Sequence, residues 1–151
     1  MKHYYEDFQV GDEFITPGRT VTEADVMLFA GLSGDYNPLH TDAEYARETI
    51  YGERIAHGLL GLSIATGLKA RLGIMQGTIM AFLGLEWRFT GPITFGDTIH
   101  CRVRIKSMRE TSKPDRGIIV QAVQIVNQRG EVVQEGEMTT MIRRRPSEEK
   151  A

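Results

Sequence analysis

Residues 58–72 restrict the fold more than any other segment. Leu59, Leu60, Leu62, Ile64, Ala65, Leu68 and Leu72 fall on nearly every side of a helix rather than along one stripe. A helix that is apolar all round must be enclosed by other elements. The chain downstream supplies the enclosure. Residues 78–89, 98–108, 117–127 and 131–142 read as strands. They are separated by Gly91-Pro92 with Gly96-Asp97, by a turn from Lys113 to Gly117, and by the tight hairpin Gln128-Arg129-Gly130. His100, Arg102, Arg104 and Lys106 alternate with Ile99, Cys101, Val103 and Ile105, which gives that strand one wet face and one buried face. One greasy helix followed by long antiparallel strands predicts an α+β layer in which the sheet wraps the helix. A sheet of this kind covers the helix on one side only, so pairing of two copies through edge strands is expected.

Upstream, an extended entry is expected around residues 8–16. Thr22 then caps a helix, with Glu23 and Asp25 at its positive end and Val26, Phe29 and Ala30 at helical spacing. Ser33-Gly34 ends it, because glycine tolerates the backbone angles that close a helix. Residues 35–41 are expected to form a loop, since Asn37-Pro38 cannot continue a helix. Asp42 caps a second, short helix, and Gly52 breaks the pattern before a loop that runs to His57.

A chain of 151 residues is the size of one domain, expected to span residues 1–142 and to be followed by a charged, solvated tail at 143–151 that begins with Arg143, Arg144 and Arg145. Eighteen Lys and Arg against twenty Asp and Glu leave a net charge of −2, which provides no positive field for nucleic acid or an anionic membrane. No secretory run opens the sequence and no stretch approaches membrane-spanning length, so a cytoplasmic location is expected. The single cysteine, Cys101, has no disulfide partner and reads as a buried thiol. No metal or redox cofactor is expected, because no ligand cluster surrounds Cys101 or the four histidines in the sequence.

Asp35 and His40 lie five positions apart on the loop stiffened by Pro38, and both are proton-transfer groups. Spacing alone does not separate that role from capping or solvation. The longer pattern is more specific. Ser33-Gly34-Asp35-x-Asn37-Pro38-Leu39-His40, followed by Ala46, resembles the hydratase-2 motif of MaoC-like dehydratases and (R)-specific enoyl-CoA hydratases, and Ile55-Ala56-His57-Gly58-Leu59 is similar to the His-Gly step that opens their central helix. The resemblance covers most of the chain from about Val21 onward and implies the hot-dog fold.

It further implies that Asp35 and His40 activate a water for addition to an α,β-unsaturated acyl thioester, or catalyse the reverse dehydration. The acyl carrier would be coenzyme A or acyl carrier protein, with no cofactor, in a homodimer or higher homo-oligomer. Gly58 reads either as an oxyanion donor at the positive end of the helix or as a plain helix-entry glycine. His57 reads either as a ligand contact or as a structural hydrogen-bonding group, and Asn37 as a residue that orients the loop. Where the similar hydratases carry a serine on the central helix, this chain has Thr66, which keeps the hydroxyl and adds a methyl. Two alternatives use the same fold. A hot-dog thioesterase would call for an acidic residue on the central helix, and residues 58–72 contain none. A non-catalytic acyl-thioester-binding subunit would not need both proton-transfer groups.

Overall fold

Strand order in the sheet is set by three long antiparallel pairings. In the computed structural model, which describes residues 3–147, the order is β1-β4-β5-β6-β3, with β2 also pairing with β4. Here β1 is Glu13–Ile15, β2 Arg19–Thr20, β3 Ile79–Phe89, β4 Thr98–Glu110, β5 Arg116–Val126 and β6 Val132–Arg143. The four long strands occupy the expected segments to within two residues. The extended entry contains only the short β1, after a 3-10 turn at Tyr5–Asp7, and β2 is an addition that two residues were too short to signal.

The enclosed helix is α4, Gly58–Arg71, after α1 (Glu23–Ser33), α2 (Pro38–Thr41) and α3 (Ala43–Arg47). Leu60, Ile64, Ala65 and Leu68 of α4 pack against Ile99, Cys101 and Val103 of β4, Val123 and Ile125 of β5, and Val133 and Met138 of β6. The same alternation that wets Arg102 and Arg104 puts Cys101 and Ile105 at no exposure, as expected. Each such Leu or Ile contributes about 1.5–3 kcal/mol by leaving water. Gly61 brings α4 close to β6, for a Cβ there would stand 2.4 Å from Gln134 Nε2. The other side of α4 is uncovered, with Leu59 59% exposed. This is the hot-dog fold, with a helix wrapped on one side. None of the described helices is long and apolar enough to cross a membrane.

Two local expectations need correction. Pro38 does not keep residues 35–41 out of helix. It occupies the first position of α2, where its missing N–H costs nothing, and Asn37 caps the turn. The arginines at 143–145 are not a solvated tail either. Arg143 ends β6 opposite Arg116. Arg144 donates to Glu6 at 2.7 Å and to Glu110 at 2.9 Å, and Arg145 pairs with Asp7. Carboxylates of the N-terminal turn thus hold the C-terminal end of the sheet. The expected tail therefore starts later, and residues 148–151 lie outside the described residues.

Candidate active site

The sequence places Asp35 at a helix end by capping. Thr22 and Asp25 form a capping box at the start of α1, and Gly34, at φ 77°, closes it in the left-handed region. The chain therefore turns out of the helix at Asp35. Its carboxylate accepts the Asn37 N–H at 3.1 Å, while the Asn37 side-chain oxygen accepts the Leu39 N–H at 3.0 Å. Asn37 thus ties the loop together locally, and α2 carries His40 inward to 8% exposure.

The tautomer of His40 follows from its one contact. Nδ1 lies 2.7 Å from the carbonyl oxygen of Ile55, and a carbonyl can only accept, so Nδ1 carries a proton and, in the neutral ring, Nε2 holds the lone pair. His57 is fixed the same way, with Nε2 donating to the backbone carbonyl of Asp35 at 2.8 Å. The two imidazoles stack at 3.8 Å between centroids, and Phe29 meets His57 edge-on at 5.0 Å. His57 is 3% exposed and its Nδ1 is buried without a partner among the described residues. Of the two readings of His57, hydrogen bonding to the Asp35 backbone is the one the geometry displays.

The fold brings together what the sequence kept apart. A carboxylate oxygen of Asp35 and one ring nitrogen each of His40 and His57 lie within 4.8 Å of one another. The expectation that no histidine cluster exists is corrected at this point, because His57 is distant in sequence. Each imidazole donates through one nitrogen to a backbone carbonyl, which fixes the ring and leaves its other nitrogen for a water, a proton or a metal ion. Proton transfer through a shared water asks only for this proximity.

Gly58 begins α4, and His57, at the N-cap, makes no side-chain capping bond. The first N–H groups of a helix have no intrahelical partner, and a fourteen-residue helix concentrates positive potential there. A side chain at Gly58 would meet the ring of Phe89 at 2.8 Å. The carbonyl of Gly58 is anchored by Gln134 Nε2 at 3.0 Å, and Gln134 is held in turn by Trp87 Nε1 at 2.9 Å. A cleft of about 570 Å³ opens on this helix end, lined by His40, Tyr51, Gly58, Leu59, Phe89 and Gln134.

Thr66 is not part of that cleft. It lies about two turns further along α4, with its hydroxyl donating to the Ser63 carbonyl at 2.7 Å, beside a different cavity. Gln134, Phe89 and Tyr51 were missed in the sequence. Only the wrapping of β3 and β6 around the start of α4 brings Phe89 and Gln134 to Gly58, and no local pattern announces that.

Residues 7–127 match the family model described as a MaoC like domain. The chain belongs to this family. Among MaoC-like relatives, the (R)-specific enoyl-CoA hydratase of Rhodospirillum rubrum is 33% identical over 141 residues, covering 93% of this chain and 92% of that protein. Protein MaoC of Klebsiella aerogenes is 43% identical over 117 residues, 77% of this chain. The match takes in only 34% of the Klebsiella protein's length, so the chain corresponds to about a third of it. The solved structure of a monoamine oxidase regulatory protein from Archaeoglobus superposes with a TM-score of 0.89 at 36% identity, covering 97% of this chain and 98% of that one.

Proposed function

We propose that this MaoC-like chain hydrates trans-2-enoyl thioesters to (R)-3-hydroxyacyl thioesters and catalyses the reverse dehydration. The observation that carries the reading is the Asp35–His40 pair held beside the uncapped start of α4. A water between the Asp35 carboxylate and His40 Nε2 loses a proton to the pair as its oxygen attacks the β-carbon. The charge that develops on the thioester oxygen is received by the Gly58 N–H and the helix dipole. The pair then returns a proton to the α-carbon, so the elements of water are added and no electron is gained or lost. His57 and Asn37 act by positioning Asp35. The Rhodospirillum relative's name supports the reaction and its stereochemistry.

The reaction involves no net redox change and so needs no redox cofactor, and in this reading Asp35 and His40 activate the water without a metal. Activity should survive a strong chelator, and activity lost to the chelator and restored by zinc would overturn this. The acyl carrier is coenzyme A or acyl carrier protein. The working unit in this reading is a homodimer joined at β3. This strand lies at the sheet edge, is eleven residues long, and exposes Ile79, Phe82, Leu83, Leu85 and Phe89. A long, hydrophobic, unpaired edge is a strand-pairing surface.

Incubation with crotonyl-CoA tests the reaction. The expected result is loss of the enoyl absorbance with (R)-3-hydroxybutyryl-CoA as product. Release of free thiol without hydration would identify a thioesterase instead.

A further inference from the structure

A second cavity, also of about 570 Å³, lies between the C-terminal half of α4 and the sheet. Its walls include Leu72, Met75, Ile79, Phe82 and Met138, and its polar residues are Thr66, Lys69, Gln76, Gln121 and Thr140. Lys69 is unusual among these. Its ammonium sits 3.1 Å from the Met138 sulfur, a weak acceptor, and among the described residues no carboxylate pairs with it. Burial pushes its pKa down to about 8, so the charge is retained at neutral pH at a cost. Gln121, 1% exposed, has no partner for Oε1 among the described residues, and its Nε2 rests on the Met75 sulfur at 3.2 Å. An apolar hollow with an unpaired cation is complementary to an alkyl chain that ends in a carboxylate.

The place of the cavity relative to β3 says how such a chain would reach it. Ile79 and Phe82, at the start of β3, line this cavity, and Phe89, at the end of β3, lines the catalytic cleft. Antiparallel pairing of β3 with its copy about Gly84, the middle of the strand, sets Ile79 opposite the partner subunit's Phe89. The cleft of one subunit then continues into the cavity of the other, and Thr66 rejoins the site across the interface.

We propose that Lys69 is a specificity residue, receiving the distal carboxylate of an acyl chain whose thioester is bound at Gly58 of the partner subunit. The preferred substrates are therefore enoyl thioesters with a terminal carboxylate. This rests on the hydratase reading and on pairing through β3. The test measures kcat/KM for trans-2-enoyl-CoAs with and without a terminal carboxylate, matched in length, across a series of lengths. At the best length the carboxylated member should be favoured by about tenfold or more, the effect of one charge-assisted hydrogen bond. Lys69→Met should remove the preference and improve the neutral chain, while Lys69→Arg should retain it. Hydration of neutral chains only, or a preference that Lys69→Met leaves unchanged, would overturn the role of Lys69 and spare the hydratase reading. Hydration of neither series would overturn both. Should a variant fail to fold, the parent's own ratio decides.

Discussion

The bond from Nδ1 to the Ile55 carbonyl fixes the His40 ring, and in the proposed reaction Nε2 of the neutral imidazole is the base. In the proposed reaction Gly58 serves the opposite end, and a side chain there would collide with the ring of Phe89. Gly58→Val should lower turnover by about 10²-fold or more, the usual cost of losing an oxyanion donor. A folded variant with parental turnover would remove Gly58 from the mechanism. Lys69 makes a prediction about stability. Its folded pKa, about 8, lies below the ordinary 10.5. Between those values the unfolded chain holds a proton that the folded chain has lost, so stability from this group rises with pH across the window. Below pH 8 both states are protonated and the folded state bears the whole burial cost. Cys101, which burial raises to about 11, acts in the opposite sense above its ordinary 9, so the Lys69 part is read as the difference between parent and variant. Lys69→Met should be more stable at neutral pH by on the order of 2 kcal/mol, with the gap closing toward pH 10.5 in denaturant titrations.

At the scale of elements, α4 serves as core, dipole and wall. Its inward residues pack against the sheet, its start borders the cleft that His40 and Gly58 line, and its far half lines the second cavity. Stability of α1 matters for a different reason, since the turn after it aims Asp35. Thr22→Ala removes the oxygen that accepts the Asp25 N–H and should cost about 1 kcal/mol, visible as a lowered denaturation midpoint. These elements were legible in the sequence because each has its own signal. An apolar run marks α4, Thr22 and Gly34 bracket α1, and alternation marks β4. The Asp35–His40 pair and Gly58 were legible through the motif pattern. What stayed hidden depends on distant contacts. The 3.8 Å stacking of His57 on His40, the Gln134 anchor on Gly58 and the two short strands carry no local periodicity. Pro38 was misjudged because a proline that breaks a helix interior also starts a helix well.

At the scale of the whole molecule, the sheet has a hydrophobic edge at β3 and the helix an open side, and the proposed homodimer would cover that edge. Lysines at two edge positions, Leu83→Lys with Leu85→Lys, should disfavour strand pairing and give a monomer by light scattering at micromolar concentration. If the cleft is completed by the partner's cavity, that monomer should also lose most of its activity. A fully active monomer would separate dimerisation from catalysis. The central claim is chemical, and crotonyl-CoA hydration by the parent, Asp35→Asn, His40→Gln and the double variant tests it most directly. Asn and Gln keep volume and hydrogen bonding but cannot take up a proton near neutral pH, so each single variant should lose about 10²-fold or more. Because both groups act on one water, the double variant should be little worse than the poorer single one. A folded single variant within about threefold of the parent, far short of the loss of a general base, would contradict the assignment of Asp35 and His40 as the catalytic pair.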